Sequence, residues 1–202
     1  MGTSEPIRNK RDVKRISEYY ISTKPNERNA MLIIMGLNTA LRISDLLKLK
    51  WKDVWNPVLH RPVDRLILNE QKTGKFQNIP LNSKVREALK TYRKVLKEKH
   101  RGESGFLDEL KNYYLFYGRT LEKPMSRSEA YRIVKSAAEK IGLSDNISCH
   151  SLRKTFGYFA WKKGIPPAVI MDIYNHSSYE ITRRYLGIVQ DDKDRVFLIN
   201  KL

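Results

Sequence analysis

Apolar side chains recur every three to four residues along most of the chain, a spacing typical of α-helices that bury one face. From Asp12 to Ser22 the apolar and aromatic positions follow this period, and Pro25 ends the segment. Asn26 is expected to cap a second, strongly apolar helix that runs to about Leu37. The same spacing predicts helices over residues 43–50, 83–100, 126–141, 148–163 and 166–174, and a last short pair after residue 177.

The pattern changes in the segment that follows the third predicted helix. Pro57 and Pro62 bracket a predicted loop, and two short runs, residues 65–71 and 76–81, have the character of β-strands. The turn between them, Lys72–Lys75, contains a Thr-Gly pair and carries two lysines. The sequence therefore predicts a mainly α fold with a small antiparallel β-sheet (α+β).

The charge balance points to a polyanionic partner. The 202 residues include 39 Lys and Arg against 22 Asp and Glu, which gives a formal net charge of +17. An excess of this size favours nucleic acid ahead of an anionic membrane surface. Basic residues are densest between positions 72 and 101. That run is either a solvated helix face or, given the charge of the whole chain, a face that follows phosphates.

Size and composition set further bounds. At 23.7 kDa the chain suits one domain, or one domain and a small appendage. The longest apolar stretch, Ala30–Met35, is far shorter than the roughly 20 residues of a membrane span, and the N-terminus lacks signal-peptide character. The single Cys149, expected to be a small buried residue, excludes an intramolecular disulfide and a multi-cysteine zinc site. A cytoplasmic protein is expected.

The motifs of several enzyme classes are absent. The chain has no P-loop, no HExxH zinc motif and no GxSxG nucleophile elbow. Its acidic residues are scattered, and Asp191 and Asp192 lie in a terminal segment without an obvious partner. Because a metal-dependent nuclease needs clustered carboxylates, neither a metal nor a cofactor is expected.

Polar residues in the C-terminal third could carry chemistry. His150 and Arg153 lie three positions apart near the start of a predicted helix, where phosphate oxygens are favoured. His176 falls in a turn just before a helix whose capping box begins at Ser177, and Tyr185 lies on an apolar face of that helix. Taken singly, each has an ordinary explanation as a surface pair, a helix cap or a core tyrosine.

Taken together, these residues resemble the signature of the tyrosine recombinase (phage integrase) family, over about residues 11–187. The segment Thr39–Trp51 is similar to the family's first arginine box, and Lys72 matches the family's hairpin lysine. The resemblance implies the fold of the family's catalytic domain. It also implies a set of catalytic residues, in this order: Arg42, Lys72, His150, Arg153, His176 and Tyr185.

The chemistry of these side chains agrees with the resemblance. Arg42 and Arg153 can each present a bidentate fork to the non-bridging oxygens of a phosphate. A tyrosine with a pKa of about 10 needs help before it attacks phosphorus, and His150 is suited to act as its base. Lys72 is suited to protonate the leaving 5′-oxygen, and the second histidine to hydrogen-bond the phosphate. The resemblance implies that Tyr185 forms a 3′-phosphotyrosyl link, which conserves bond energy for rejoining.

The implied function is site-specific DNA recombination by metal-independent strand cleavage and rejoining. The expected partners are double-stranded DNA, further copies of the chain in a tetramer on that DNA, and accessory DNA-bending proteins, and the protein would associate with the nucleoid. Two other interpretations stay open. A type IB topoisomerase-like enzyme would relax DNA without exchanging strands, and a DNA-binding module would keep the fold without the catalysis. An RNA-binding protein would explain the net positive charge, but not the presence of the six family residues in the family's order along the chain.

Several local assignments have alternatives. Lys75 could be the acid, although Lys72 is favoured because it immediately precedes Thr-Gly. Asp45, three residues after the first arginine, could buttress that arginine or lie on a helix surface. The family usually has Leu-Gly before its late histidine, whereas this chain has Tyr174 and Asn175, which alters the turn.

The expected organisation is an N-terminal extension at 1–10, a catalytic domain at 11–189 and a tail at 190–202. Family members generally carry an N-terminal core-binding domain, so the chain would be an excised catalytic domain or a compact stand-alone member. In the family the core-binding domain and the catalytic domain close around the DNA. Without the core-binding domain, DNA binding is expected to be weak and salt-sensitive. The tail, with apolar Val196, Phe197 and Leu198, could dock on a neighbouring subunit, as in relatives, or pack on its own domain.

Overall fold

A computed structural model describes residues 4–143, 146–188 and 197–198. The described part is mostly helical, with two small antiparallel sheets, and the predicted fold class is confirmed. The α-helices are α1 Lys10–Glu18, α2 Glu27–Asn38, α3 Ile43–Leu46, α4 Trp51–Val54, α5 Ser83–Lys99, α6 Phe106–Glu109, α7 Arg127–Lys140, α8 Cys149–Lys162, α9 Pro167–Tyr174 and α10 Tyr179–Leu186. The strands are β1 Trp55–Asn56, β2 Arg61–Pro62, β3 Arg65–Asn69 and β4 Phe76–Pro80. A π-helical turn at Tyr19–Thr23 extends α1, and a 3₁₀ turn at Leu110–Asn112 follows α6.

The long helices begin where the sequence predicts, because polar side chains cap them. The side chain of Asn26 accepts from the Asn29 amide at 3.0 Å, and Ser126 accepts from the Glu129 amide at 3.1 Å. The last helix is an exception, since Ser178 rather than Ser177 is its N-cap and accepts from the Ile181 amide.

In the first half of the chain, one predicted helix is too long and one pair of strands was missed. The helix expected over residues 43–50 ends at Leu46, because the backbone beyond it pairs elsewhere: Lys50 bridges Tyr114, and the Leu115 amide donates to Leu49 O at 2.8 Å. The predicted loop between Pro57 and Pro62 is present as a turn at residues 57–60, but it connects two strands that were not predicted: β1 pairs with β2 through Trp55↔Pro62 and Asn56↔Arg61.

The predicted hairpin is confirmed, with β3 and β4 in antiparallel register from Arg65↔Pro80 to Asn69↔Phe76. The turn is closed by bonds from the Glu70 amide to Lys75 O and from the Gly74 amide to Glu70 O, both 2.8 Å. Gly74 has a φ of 67°, a left-handed conformation that favours glycine. This turn places Lys72 at the tip.

The core surrounds α2, which is buried along most of its length and packs on α5 and α8. Gly36 allows the approach to α8, since a Cβ there would lie 2.7 Å from Leu152 Cδ1. A second, smaller cluster lies beneath the C-terminal helices and contains Ala40, Ile170, Tyr174 and Leu186. These two clusters hold α8 between them.

Residues 4–9 pack against the C-terminal helices. Ile7 is buried, and its amide donates to Thr155 Oγ1 at 2.8 Å. Lys154 Nζ donates to Ser4 O at 2.7 Å, and Arg8 Nη2 donates to Gly187 O at 3.1 Å. This segment therefore joins α8 to the end of α10.

Within the described residues, no helix is both long and apolar enough to cross a membrane. Most of the predicted tail, including Asp191, Asp192 and Val196, lies outside the described residues. Phe197 and Leu198 are described and are strongly exposed, at 81% and 74%.

Candidate active site

A cleft of about 520 Å³ brings together residues from α3, the hairpin turn and α8. Four predicted site residues line it: Arg42, Lys72, His150 and Arg153. Tyr185 adjoins it, because its Oη lies 3.1 Å from His150 Nδ1. The ring of His176 lies 4.6 Å from the ring of Tyr185, centroid to centroid. The structure thus gathers all the predicted site residues in one region.

Arg153 is buried on α8 and held from two sides. Its Nη1 donates to Ala40 O and its Nη2 to Tyr174 O, the latter at 3.0 Å. The guanidinium lies over the ring of Tyr174, 4.7 Å from its centroid. A guanidinium has five N–H donors, so these bonds fix its plane and leave donors for a phosphate.

Arg42, immediately before α3, is held by a buried carboxylate that the sequence analysis missed. Its Nη1 lies 2.6 Å from Glu70 Oε2, and the Glu70 side chain is 1% exposed. Thr73 Oγ1 donates to the same carboxylate at 2.6 Å. Burial raises the pKa of Glu70, but the Thr73 bond and Arg42 outweigh it, so that the pKa falls and the group is ionised. Glu70 thereby connects Arg42 to the hairpin turn.

Asp45 is buried, so the surface alternative for it is wrong. Its Oδ1 accepts from the Gln71 amide at 3.0 Å. The carboxylate therefore fixes the end of the hairpin strand next to Lys72.

The two hairpin lysines differ in position. Lys72 lines the cleft that also contains Arg42 and Arg153, whereas Lys75 is exposed and is not among the residues that line it. This placement favours Lys72 as the proton donor.

His150 and Tyr185 face each other with their rings edge to face, 4.8 Å apart. His150 remains solvent-exposed, yet partial loss of water around the ring, and then Lys154, Arg153 and Arg42, lower its pKa to about 4. Burial raises the pKa of Tyr185 more than Arg153 and Arg42 lower it. At neutral pH both rings are therefore uncharged, and the imidazole can accept the phenolic proton.

His176 lies in the turn between α9 and α10 and is oriented by a residue of α10. Its Nδ1 lies 3.0 Å from Oγ1 of the buried Thr182, and burial together with the nearby arginines lowers its pKa to about 4. Asn175 adopts the left-handed conformation, with φ 54° and ψ 47°, which asparagine tolerates better than most residues. The turn can therefore form without the family's usual glycine.

Lys154 and Arg127 also adjoin the site and were missed by the sequence analysis. Lys154 Nζ lies 5.4 Å from the ring centroid of Tyr185, and Arg127, the first residue of α7, lines the cleft. The only sequence signal was the position of Lys154 directly after Arg153. Cys149 also lines the cleft and is partly buried, and burial raises the pKa of its thiol to about 12.

No three His, Cys, Asp or Glu side chains lie together as metal ligands in the described ranges. The charged residues that line the cleft are instead all cationic, namely Arg42, Lys72, Arg127 and Arg153, and they suit an anionic group such as a phosphate.

Comparison with known proteins identifies the class. The model of the phage integrase family matches residues 9–190, so the chain belongs to this family, and the predicted resemblance is confirmed. Two relatives illustrate the relationship. Probable integrase/recombinase YoeC of Bacillus subtilis is 38% identical over 191 residues, covering 95% of this chain and 93% of YoeC. A tyrosine recombinase of Pseudothermotoga lettingae is 27% identical over 208 residues, covering 98% of this chain but only 65% of the relative.

Solved structures show the same fold. The crystal structure of XerA recombinase matches with a TM-score of 0.73 at 18% identity, covering 100% of this chain and 67% of XerA. XerH recombinase bound to a palindromic difH substrate matches with a TM-score of 0.71 at 19% identity, covering 98% of this chain and 54% of XerH. The chain has the fold of a tyrosine recombinase catalytic domain. It spans about half to two thirds of the Pseudothermotoga recombinase, XerA and XerH.

Proposed function

We propose that this protein is a site-specific recombinase that cleaves and rejoins DNA through a 3′-phosphotyrosyl intermediate on Tyr185. The observation that carries the proposal is the 3.1 Å contact between Tyr185 Oη and a neutral His150, beside Arg42 and Arg153. The recombinases and integrases among its relatives support the same class of reaction.

In the proposed cleavage step, the scissile phosphate occupies the cleft and its non-bridging oxygens contact Arg42 and Arg153. Tyr185 Oη attacks phosphorus and its proton passes to His150. The bond from phosphorus to the 5′-oxygen breaks, and Lys72 protonates that oxygen. His176 hydrogen-bonds the phosphate, and the reverse sequence, with a 5′-hydroxyl as nucleophile, rejoins the strand.

The test is incubation of the protein with supercoiled plasmid in excess EDTA, followed by detergent. We expect relaxed topoisomers and protein-linked DNA, both lost in Tyr185→Phe. Tyr179→Phe is a matched control, because Tyr179 lies at the exposed start of the same helix. Adduct formation that survives in Tyr185→Phe would exclude Tyr185 as the nucleophile.

The product separates the rival functions. Relaxation with no exchange between two sites on suicide substrates would favour the topoisomerase interpretation. Tight DNA binding with no adduct from any substrate would favour the DNA-binding module. Strand exchange at a defined site is the result that supports recombination.

We further propose that residues 11–189 are the catalytic unit and that the tail, residues 190–202, docks on a neighbouring copy in a tetramer on DNA at the nucleoid. The exposure of Phe197 and Leu198 supports this. A solved structure of lambda integrase, which matches the fold of this chain with a TM-score of 0.62, shows a dimer bound to a core site. Sedimentation on DNA should show loss of assembly in Phe197→Asp, but not in Val58→Asp, an equally exposed apolar position. Assembly unchanged by Phe197→Asp would contradict docking in trans.

A further inference from the structure

We infer that Tyr174 is a positioning residue that fixes the relative positions of the Arg42 and Arg153 guanidinium groups in the cleft. This inference rests on the proposed function. Its carbonyl oxygen accepts from both of them, from Arg153 Nη2 at 3.0 Å and from Arg42 Nη2 at 3.4 Å. One backbone atom at the end of α9 therefore fixes how far apart the two guanidinium groups lie.

The side chain of Tyr174 locks that carbonyl in place. It is fully buried, and its hydroxyl donates to Arg153 O at 2.5 Å, so the phenol is tied to the turn of α8 that carries Arg153. Its ring lies beneath the Arg153 guanidinium and 5.0 Å from the ring of Tyr185. Backbone, hydroxyl and ring of one residue thus all contact the catalytic cluster.

Gly157 makes this arrangement sterically feasible. A Cβ at position 157 would lie 2.4 Å from Tyr174 Oη, 2.8 Å from Cε2 and 2.9 Å from Cζ, closer than nonbonded carbon atoms approach. The phenol therefore occupies the space that a side chain on α8 would fill. Tyr174 and Gly157 form a complementary pair, and neither position can be changed alone without a steric or polar cost.

A simpler explanation is that Tyr174 only fills volume in the cluster with Ala40, Ile170 and Leu186. The two explanations differ in one respect. A filler can be replaced by any set of side chains with the same total volume, whereas a positioning residue needs its ring and hydroxyl.

The experiment compares Gly157→Ala, Tyr174→Phe and the double variant Gly157→Ala/Tyr174→Leu. The double variant moves a small volume from α9 to α8 and nearly conserves the total. Three properties are measured for each: the melting temperature, the solvent exchange of the Arg153 guanidinium protons by ¹⁵N NMR, and the single-turnover rate of covalent adduct formation on plasmid DNA.

We expect Gly157→Ala to lower both the melting temperature and the adduct rate. The double variant should recover most of the melting temperature and bind DNA as the wild type does. Its guanidinium protons should exchange faster, and its adduct rate should stay about 10- to 100-fold low, as for a small misplacement of a catalytic group. Tyr174→Phe keeps the ring but loses the hydroxyl, so its adduct rate and its guanidinium exchange rate should lie between those of the double variant and the wild type.

Recovery of the adduct rate together with the melting temperature in the double variant would overturn the inference and leave Tyr174 as a filler. Guanidinium exchange that does not change from wild type to double variant would overturn it independently of catalysis. If the wild type forms no adduct on any DNA, the proposed function fails, and the NMR comparison alone still decides whether Tyr174 holds Arg153.

Discussion

His150 and Tyr185 are both held uncharged by partial burial, which lowers the pKa of the imidazole and raises that of the phenol. A proton transfer between them creates an imidazolium and a phenolate in a region already occupied by arginines. The phenolate is favoured by those arginines and the imidazolium is not. A bound phosphate, whose negative charge offsets the cations, would make the transfer less costly. On the proposed mechanism, proton transfer within this pair should therefore be easier when DNA is bound.

The first prediction concerns the titration of His150 in the free protein. Its Cε1 proton resonance should move with a midpoint near pH 4, because lost hydration and nearby cations disfavour the charged ring. A pKa lowered on folding means that the unfolded chain, with a histidine pKa of about 6.5, binds more protons between roughly pH 4 and 6.5. Stability should then be fully present above about pH 6.5 and fall as the pH drops through that interval.

The measurements are an NMR titration, with His150→Gln to assign the resonance, and melting temperatures at matched pH values. His150→Gln should weaken the loss of stability on acidification. A His150 midpoint near 6.5 would show that neither burial nor the cations act on this ring in solution.

The second prediction separates a buried ion pair from an exposed one. Glu70→Gln removes the charge opposite Arg42 and should lower the free energy of unfolding by about 1–3 kcal/mol, since it leaves a partly buried cation poorly compensated. Asp64→Asn, which breaks exposed pairs with Arg61 and Arg86, should change stability little. Urea unfolding of both variants measures the difference. Equal effects would mean that Glu70 does not hold Arg42.

At the residue scale, the sequence identified the side chains that are proposed to contact the phosphate, but not the residues that hold those side chains in place. Arg42 and Tyr185 stand in recognisable local motifs. Glu70 and Tyr174 act through contacts across 28 and 21 positions of the chain, with Arg42 and Arg153, and such contacts leave no local pattern.

At the element scale, α10 positions Tyr185, and its first turn depends on one cap. Ser178→Ala should destabilise the protein by about 1 kcal/mol and slow adduct formation, because the Ile181 amide loses its acceptor. Ser177→Ala is the matched control and should have little effect, since the neighbouring serine accepts that bond. Thermal unfolding and single-turnover cleavage of both variants test this. A larger loss from Ser177→Ala would restore the cap position that the sequence pattern favours.

Long elements were predictable and short ones were not. The helices around residues 27–38, 83–99 and 149–162 contain enough turns for their apolar period and caps to agree. β1 and β2 have two residues each, so no alternation could reveal them. The early end of α3 follows from pairing with the segment around Tyr114, which is a tertiary contact that overrides local helical spacing.

At the scale of the whole molecule, the net charge of +17 should dominate DNA affinity. If about six phosphates are neutralised, raising salt from 50 to 200 mM should lower the association constant by about 10³. Fluorescence anisotropy with unrelated duplexes measures this slope. Nanomolar binding that persists in physiological salt would contradict the expected weak, salt-sensitive binding.

The path of residues 4–9 has a practical consequence for anyone handling this protein. Through Ser4, Ile7 and Arg8 this segment is attached directly to α8 and to the end of α10, the two helices that carry His150, Arg153 and Tyr185. An affinity tag, fluorophore or surface tether joined ahead of residue 4 would therefore apply force directly to α8 and to the end of α10, the helix that carries Tyr185. An attachment point on the loop at Val58, which is 82% exposed, would apply no direct force to residues 4–9 or to α10.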